Sequence, residues 1–412
     1  MIDSYLQKDI RKHTDFSSQR QLFLNKKTRL GYASAMRFSQ PTAARQINRL
    51  RVLNLVLAEG QLSRADIARI LALNKPSTSE IVEQLLSENL LEEQGKTITS
   101  NGRRPTALTL NSTAALVLGV DLGALTTSFS LSDLKGNILR FERLPNPPQP
   151  SPKEHGQQII RTCMKMVKLA KSPVSGIVVS IPGIIGEDQQ TLLSHDYWSW
   201  KDVPLAKAIE VNTKIPTIMV NNVEAMVVAE RWFASEKEHS FFFVNWAEHI
   251  NAAMVDGTTI KTQGSRFGHL PLASTGLCRC GNIGCLETMA SGWALSDKHQ
   301  GAGVKQLAQS ADKQVAEDLR SACQAMAMAL IAASSITGCK KIILAGGLSN
   351  LDDAYFGIVQ SFFKEHAHHQ LSHVSIVRSA LADKSAMLGS VAVALDRWVF
   401  QRTLLETMSE LQ

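Results

Sequence analysis

The sequence predicts an α/β protein in which two lobes follow a smaller, basic and mostly helical module. From residue 115 onward, apolar runs of β type alternate with helical segments, which is typical of α/β folds. Hairpin strands followed by helices occur in both halves of this region, and the repetition indicates two related lobes with a cleft between them. Residues 1–110 differ, because their apolar residues follow a helical period and their net charge is positive.

The composition predicts an ordinary globular protein. Of 412 residues, 44% are hydrophobic and 20% are charged. No apolar run approaches the ~18–20 residues that span a bilayer, so we expect no membrane insertion. The first dozen residues mix charges and lack an apolar core, unlike a signal peptide. We therefore expect a cytoplasmic protein, in which clustered cysteines are reduced and favour metal binding over disulfides.

The net charge of +7 lies entirely in the first quarter of the chain. Residues 1–110 hold 17 Lys and Arg against 10 Asp and Glu, whereas residues 111–412 hold 27 of each. A basic module attached to a neutral body is the charge distribution expected of a nucleic-acid-binding protein. Charge alone leaves open the alternative of a solvated basic tail.

Three helices are predicted after a basic extension, residues 1–45, to which no chemistry is assigned. The first helix covers about residues 47–59. Ser63, followed three residues later by Asp66, predicts a capping box and the start of a second helix. After a turn, the third helix spans about residues 76–88, which completes a helix-turn-helix pattern.

Two short strand-like runs follow the third helix and enclose a basic loop, NGRRP. Such a loop is the wing of a winged helix-turn-helix, which we assign to residues 46–111. In this module the start of the third helix reads base edges, while the wing contacts phosphates or the minor groove. An alternative is a helical protein-interaction domain. The predicted partner is double-stranded DNA, and the predicted contact residues are Ser77, Thr78, Ser79, Glu80, Arg103 and Arg104.

The body, residues 112–412, is predicted from its order of elements. Its first lobe has three β-type runs, a helix after a Pro-rich stretch, another strand and a strand–helix pair. Its second lobe has a hairpin, a long helix, a strand and a final helix. The helices are predicted at about 154–171, 314–337 and 385–398, and the strand–helix pair lies in 216–233. The main strands are predicted in 115–144, 175–185, 241–260 and 341–347.

Eight short motifs carry a resemblance to a known family. The motifs are NGRRP (101–105), VDLG (120–123), IPG (181–183), WSWKDVPL (198–205), VNN with AE (220–230), GH (268–269), CRCGNIGCLE (278–287) and LAGG (344–347). With its motifs in this order, the chain resembles the ROK family (repressors, open reading frames and kinases) over about residues 45–400. It is most similar to the repressor branch, which includes repressors of the glucose and N-acetylglucosamine regulons. The resemblance implies a winged helix-turn-helix followed by the two-lobed actin-like ATPase fold of ROK sugar kinases.

The resemblance also implies two phosphate loops, and this sequence departs from both. Family kinases end the first strand in Asp-x-Gly-Gly-Thr, because the nucleotide phosphates approach bare backbone there. Here Ala124 replaces the second glycine after Asp121. The second loop, Gly-Thr-Gly-Ile-Gly-x-Gly in the kinases, corresponds to residues 246–253, which contain no glycine and carry Glu248. ATP would therefore meet side chains and a negative charge.

The ligand side of the family site is changed as well. The catalytic Asn-Asp pair of the kinases becomes Asn221-Asn222, and a carboxamide is not a useful general base. The sugar motif Glu-x-Gly-His becomes RFGH at 266–269, whereas Glu287 still corresponds to a sugar-contacting carboxylate. Arg266 would suit an anionic ligand such as a sugar phosphate, unless it pairs with a neighbouring acid. We therefore expect no kinase activity. The candidate ligand residues are Asn221, Asn222, Arg266, His269 and Glu287.

Three of the six cysteines lie within eight residues. Cys278, Cys280 and Cys285 have the spacing Cys-x-Cys-x4-Cys, and His269 precedes them by nine residues. One imidazole and three thiolates fill a tetrahedral shell with no position for water, so the pattern predicts a structural Zn²⁺ site. The alternative is a group of buried free cysteines beside a core histidine.

The sequence therefore predicts a DNA-binding regulator, by its resemblance a repressor, of carbohydrate uptake or catabolism genes. One winged helix reads one half-site, so we expect a homodimer or higher homo-oligomer on a palindromic operator. The effector would be a sugar, a sugar phosphate or a regulatory protein. Two alternatives are a sugar kinase with an appended DNA-binding domain and a ligand-independent scaffold.

Overall fold

The computed structural model describes residues 41–94, 98–99, 102–103, 106–234, 236, 238–262 and 266–410. Residues 1–40 of the predicted extension lie outside these ranges. Within them, the chain forms a small N-terminal module and a body with two five-stranded sheets, in agreement with the predicted α/β class.

The N-terminal module contains three helices, a three-stranded antiparallel sheet and a two-stranded ladder. Its elements are α1 (Pro41–Glu59), β1 (Gln61–Ser63), α2 (Arg64–Ile70), α3 (Lys75–Ser87), β2 (Leu91–Gln94), β3 (Ile98–Thr99), β4 (Gly102–Arg103) and β5 (Ala107–Leu110). Strand β5 lies between β1 and β2, and β3 pairs with β4. Helix α1 begins at Pro41, six residues before the predicted start. The prediction missed these residues because they lack the apolar period on which it was based.

Two helix starts in this module have side-chain caps. The Ser63 hydroxyl accepts a hydrogen bond from the Asp66 amide at 3.2 Å. The Asp66 carboxylate accepts one from the Ser63 amide at 3.3 Å, so the predicted capping box is confirmed. At α3, the Asn74 side chain accepts a hydrogen bond from the Ser77 amide at 2.8 Å, which starts this helix at Lys75.

The first lobe is a five-stranded sheet with helices on its faces. Its elements are β6 (Leu116–Leu122), β7 (Thr126–Ser132), β8 (Ile138–Pro145), α4 (Pro152–Lys168), β9 (Val174–Ile181), α5 (Leu205–Thr213) and β13 (Thr217–Asn221). The order is β13-β9-β6-β7-β8, with parallel pairing of β9 to β6 and to β13. The carboxyl ends of these three strands therefore meet at one edge of the sheet.

A small antiparallel sheet projects from this edge. It consists of β10 (Gly183–Ile185), β11 (Leu192–His195) and β12 (Lys201–Val203). The connection from β11 to β12 is the aromatic segment DYWSW, residues 196–200. The sequence pattern did not reveal this sheet, because its strands are only three or four residues long.

The second lobe repeats the sheet-and-helix arrangement, with strand order β16-β15-β14-β17-β18. Helix α6 (Asn222–Phe233) connects the lobes. The strands of the second lobe are β14 (Ser240–Trp246), β15 (Ile250–Asp256), β16 (Thr259–Lys261), β17 (Lys341–Ala345) and β18 (Ser375–Arg378). Its helices are α7 (Leu286–Ala290), α8 (Gly292–Lys298), α9 (Val304–Ala308), α10 (Lys313–Thr337) and α11 (Asp353–His366).

Helix α10 is the long helix that the sequence predicted. Among the described residues it is the one helix whose length and composition would allow it to cross a membrane, and 56% of its most apolar window is buried inside the protein. Its buried face, which includes Met326 and Leu330, belongs to the hydrophobic core of the second lobe. The apolar residues of this helix therefore pack inside the second lobe.

The C-terminal segment joins the body to the N-terminal module. Helix α12 (Ser385–Leu395) continues into a π-helical turn, Asp396–Phe400, and then α13 (Arg402–Glu410). Phe400 belongs to the same hydrophobic cluster as Leu53 of α1 and Val178 of β9. The Asn54 side chain also donates a hydrogen bond to the Phe400 carbonyl at 2.8 Å. The module therefore shares a core with the first lobe.

Candidate functional sites

Helix α3 presents a polar face to solvent, but not all of the predicted contact residues lie on it. Ser79 and Glu80 are exposed, and Ser77 is half-buried. Thr78 is only 1% exposed, and its hydroxyl donates a hydrogen bond to the Asn74 carbonyl at 3.0 Å. The prediction that Thr78 approaches base edges is therefore wrong, because the residue lies on the inward face of the helix.

Several arginines of the module are held in ion pairs within it. Arg64 donates to Glu83 at 2.6 Å and to Glu93 at 2.8 Å, and so ties α2 to α3 and β2. Arg49 of α1 pairs with Glu88 at the end of α3. These guanidinium groups connect elements of the module, and their charge is balanced locally.

The predicted wing is described in part. Ile98 pairs with Arg103 and Thr99 with Gly102 in the β3–β4 ladder, so Arg103 lies in a strand near the tip of a hairpin. Arg104 lies outside the described residues. The contact of both arginines with DNA stays a prediction.

The four predicted metal ligands converge. One ligand atom each from His269, Cys278, Cys280 and Cys285 lies within 4.8 Å of the others. The Cys278 Sγ is 3.6 Å from the His269 Nδ1, and the Cys280 and Cys285 Sγ atoms are 3.7 Å apart. Separations of this size fit four donors around one tetrahedral ion with Zn–S bonds of ~2.3 Å. The donor set therefore fits zinc, whose presence stays a prediction.

The loop that carries the thiols is shaped by backbone hydrogen bonds and two glycines. The Cys278 amide donates to the Asn282 carbonyl, and the Gly281 amide donates to the Cys278 carbonyl, both at 2.8 Å. Gly281 has φ +92° and Gly284 has φ +72°, a region that glycine favours. A Cβ at Gly284 would lie 1.7 Å from the Ala273 carbonyl oxygen, so only glycine fits there.

Glu287 does not face the cleft as an unoccupied sugar acceptor. The residue is 2% exposed, and its carboxylate accepts hydrogen bonds from the Ile250 amide at 2.8 Å and the Trp293 indole at 3.0 Å. The His249 Nδ1 lies 3.3 Å from it. Burial favours the neutral acid, but the hydrogen bonds, led by that of His249, hold the pKa of Glu287 below its usual value. Glu287 therefore connects β15 and α8 in this structure, and its contact with a sugar stays a prediction.

A side chain of the first lobe covers His249. The Tyr197 ring stacks on the His249 ring with centroids 3.4 Å apart and planes 9° from parallel. The Tyr197 hydroxyl accepts a hydrogen bond from the Asn251 side chain at 2.5 Å. His195 positions the turn by accepting from the amides of Tyr197 and Trp198. The segment 195–198, hereafter the aromatic strap, thus bridges the two lobes.

Trp198 and Trp200 are packing residues. They are 5% and 1% exposed, and both belong to the core of the first lobe. The Trp200 indole donates to the Pro150 carbonyl at 2.7 Å. Sequence reasoning assigned these residues no role and missed Tyr197 and His249. The signal that could have identified Tyr197 was its place in a run of aromatic residues at a strand connection.

Arg266 is exposed and lies near an acid of the aromatic strap. Burial raises the pKa of Asp196, and the charge of Arg266 is the largest electrostatic effect that opposes this rise. His269 is also close enough to favour the Asp196 carboxylate. The charge of Arg266 therefore acts on Asp196, whereas a salt bridge of Arg266 to a neighbouring acid such as Glu248 stays a prediction.

Asn221 and Asn222 have different surroundings at the start of α6. The Asn221 side chain accepts from the Val223 amide at 3.0 Å and donates to the Gly183 carbonyl at 3.3 Å, so it is a helix cap. Asn222 is 8% exposed, and its Oδ1 has no hydrogen-bond partner among the described residues. Of the pair, Asn222 retains an acceptor for a ligand.

Two carboxyl groups near this edge have raised pKa values. Burial raises the pKa of Asp121 to about 6, although a hydrogen bond from the Ser180 hydroxyl at 3.0 Å opposes the shift. Burial raises the pKa of Glu224 to about 7. Neither group is the base of a sugar kinase by sequence position, since that position holds Asn222.

The loop at residues 246–253, which corresponds to the second phosphate loop of the kinases, packs against other parts of the second lobe. The Trp246 indole donates to the Ala290 carbonyl at 2.7 Å, and the ring is 1% exposed. The Gly292 amide at the start of α8 donates to the Ala247 carbonyl at 2.9 Å. Side chains and helix α8 therefore support this loop where kinases would have glycine backbone.

Two five-stranded sheets with a Cys/His cluster in the second lobe form the body that follows the N-terminal helical module, and this architecture is that of sugar-kinase-like, actin-like proteins. The model of the ROK family matches residues 117–397, and the chain belongs to this family. The expected resemblance is confirmed.

Several known proteins are similar to this chain. A putative xylose repressor of Caldicellulosiruptor sp. (strain Rt8B.4) is 27% identical over 387 residues, which cover 85% of this chain and 96% of that protein. The transcriptional dual regulator NagC of Escherichia coli (strain K12) is 23% identical over 373 residues, 83% of this chain and 91% of NagC.

The solved structures share the fold. A ROK family transcriptional regulator, described as a homolog of the E. coli MLC protein, superposes with a TM-score of 0.73 at 20% identity and covers 88% of this chain and 99% of its own. A ROK glucokinase from Streptomyces griseus has a TM-score of 0.59 at 19% identity and covers 68% of this chain and 98% of its own.

Proposed function

We propose that this protein is a DNA-binding transcriptional repressor of carbohydrate uptake or catabolism genes. The observation that carries the proposal is a helix-turn-helix module that shares a hydrophobic cluster with a ROK body. The similarity to proteins named repressors supports it, because the match to the putative xylose repressor covers 85% of the chain and so extends beyond residues 117–397.

The module, residues 46–111, is a winged helix-turn-helix that reads double-stranded operator DNA. Its contact residues are Ser77, Ser79 and Glu80 of α3 with Arg103 and Arg104 of the wing. Because one module reads one half-site, the active form is a homodimer or higher homo-oligomer in the cytoplasm. The body, residues 112–412, carries the effector site and the oligomer contacts.

The effector, a sugar, a sugar phosphate or a regulatory protein, acts at the interlobe cleft. The buried Asn222 Oδ1 is available to accept a hydrogen bond from a ligand there. Arg266 and His269, whose charges act on Asp196, are further candidate ligand contacts. An effector changes DNA affinity only if it binds one arrangement of the modules more tightly than another. A structural Zn²⁺ on His269 and the three cysteines supports the loop next to this cleft.

The body does not transfer phosphate. Asn222 stands at the position of the base, and residues 246–253 present buried side chains instead of glycine backbone to a nucleotide. In-line transfer needs both a positioned base and a cradle for the phosphates.

One experiment separates these functions. The purified protein is mixed with genomic DNA fragments, and bound fragments are sequenced and retested in gel shifts with sugars, sugar phosphates and ATP. A repressor binds fragments near carbohydrate genes, and a sugar-type compound releases them. Sugar-dependent ATP turnover that is lost in Asp121→Ala would instead establish a kinase, and a protein without DNA binding would be a scaffold.

A further inference from the structure

The exposed face of α3 is acidic beyond its first turn. Its solvent-facing side chains there include Ser79, Glu80 and Glu83. DNA affinity comes largely from cations that neutralise phosphates, and two carboxylates on the recognition helix oppose it. Residues 41–110 hold nine Lys and Arg against seven Asp and Glu, so few cations are in excess. Apart from Lys75 at the start of α3, positive charge beside this face comes from arginines of neighbouring elements.

Several arginines of the module are already engaged in it. Arg64 bonds Glu83, and Arg49 pairs with Glu88, as described above. Arg51 donates to the Asn48 side chain at 3.1 Å and to the Leu71 carbonyl at 3.3 Å. Moving any of these groups to DNA would break a contact between elements of the module or within α1.

Arg45 differs from these arginines in its surroundings. It lies in the first turns of α1, and its Nη1 is 3.9 Å from the Glu80 Oε2, which is beyond hydrogen-bond distance. The two side chains are 53% and 67% exposed. An exposed pair of this kind contributes little to stability, so it exchanges readily for another partner.

We propose that Arg45 is a DNA-phosphate contact on the flank of α3, and that its ion pair with Glu80 opens when DNA binds. The guanidinium then forms charge-assisted hydrogen bonds with a phosphate. The released Glu80 carboxylate accepts a hydrogen bond from the exocyclic amine of a cytosine in the major groove. This assignment rests on the proposed DNA-binding function and adds a residue of α1 to the interface.

The phosphate contact is tested by the salt dependence of binding to a labelled, short, mixed-sequence duplex. Each phosphate contact contributes about 0.9 to the slope of log affinity against log salt. Arg45→Ala should lower the slope by about 0.9 for each copy bound. Arg161→Ala, which removes an exposed charge from α4 in the body, is the matched control and should leave the slope unchanged.

The carboxylate is tested by selecting sites from a random DNA pool. Glu80→Gln should relax the preference for cytosine at one position of each half-site by about tenfold or more. It should also bind the mixed-sequence duplex more tightly, because a carboxylate near phosphates is removed.

The outcomes separate this inference from the proposed function. Wild-type protein that fails to bind any duplex at low salt would overturn the DNA-binding function itself. Wild-type binding with an unchanged slope in Arg45→Ala would overturn the Arg45 contact alone. An unchanged base preference in Glu80→Gln would overturn the assigned role of Glu80. Circular dichroism and the Tm of each variant show whether it is folded.

Discussion

Glu224 is a carboxyl group whose burial should make stability depend on pH. Its pKa is raised to about 7 in the folded protein, from an ordinary value of 4.5. The folded state therefore holds the proton more tightly than the unfolded state, and stability falls as pH rises from about 4.5 to about 7. Above this window Glu224 is ionised in the folded protein as well, and its buried charge lowers the free energy of unfolding by the full amount.

Glu224→Gln should therefore raise the Tm at pH values above the window and change it little below, since Gln resembles the protonated acid. Glu187→Gln, an exposed acid of the same lobe, is the control and should leave the Tm unchanged at both pH values. Thermal unfolding at several pH values measures both variants. Equal Tm shifts for Glu224→Gln at low and high pH would contradict the burial argument.

The metal cluster allows a second prediction at the residue scale. Cys285 is 1% exposed and belongs to the four-ligand group, whereas Cys339 is equally buried, at 3%, but distant in sequence from that group. We expect about one zinc ion per chain in the wild type, because four N and S donors fill its tetrahedral shell. Cys285→Ser should lose the ion and lower the Tm.

Cys339→Ser is the control, and it should retain the metal even if replacing a core thiol lowers the Tm. Native mass spectrometry measures the metal content of each variant, and a chelator added to the wild type should reproduce the lower Tm of Cys285→Ser. Equal metal content in the two variants would show that the cluster is not the site.

At the scale of elements, the aromatic strap bridges the two lobes through contacts with β15 and the turn before it. Tyr197 contributes a stacked ring on His249 and a hydroxyl bonded to Asn251. Stacked aromatic pairs contribute ~0.5–1.5 kcal/mol beyond their buried area. Tyr197→Phe removes only the hydroxyl bond, and Tyr197→Ala removes both contacts.

We expect hydrogen exchange in β15 to increase slightly in Tyr197→Phe and strongly in Tyr197→Ala, with a larger radius of gyration in small-angle scattering only for the latter. Exchange in β7, which lies in the interior of the first-lobe sheet, serves as the internal reference. An unchanged β15 in Tyr197→Ala would mean that other contacts close the cleft.

Elements with a local signal were predictable, whereas those determined by tertiary contacts were not. The Ser63–Asp66 capping box and the long helix at 313–337 follow from short-range patterns, and both are present. The sheet of β10, β11 and β12 was missed because strands of three or four residues are too short to show the alternation of apolar and polar residues that predicts a strand. The π-helical turn after α12 has no sequence signal of its own.

The candidate sites divide in the same way. The cysteine spacing brought its four ligands together as expected. Thr78 was misassigned although its position was readable, since it is spaced with Ile81, Val82 and Leu85 on the buried face of α3. The contacts of Glu287 with His249 and Trp293 depend on side chains brought together only by the folded second lobe.

At the scale of the whole molecule, the shared cluster determines how the N-terminal module is held. Phe400 is fully buried, its ring lies 5.3 Å from that of Trp232, and its carbonyl accepts the hydrogen bond from Asn54 of α1. A change in the first lobe that moves this residue therefore moves α1 directly. Helix α6, which starts at Asn222, packs against α12, and α12 leads into the same π-helical turn.

Phe400→Ala tests this connection. The substitution should destabilise the protein by ~3–5 kcal/mol, the usual cost of removing a buried phenyl ring. Because the cavity opens between the module and the first lobe, exchange in α1 should rise more than exchange in β14. Phe363→Ala is the matched control, since Phe363 is 4% exposed in the core of the second lobe and has the same side chain. It should increase exchange in α11 and leave α1 protected. If both variants increased exchange in α1 equally, exchange in α1 would depend only on the global stability of the protein. The Phe400 contact would then not be the connection through which an effector in the body changes DNA binding.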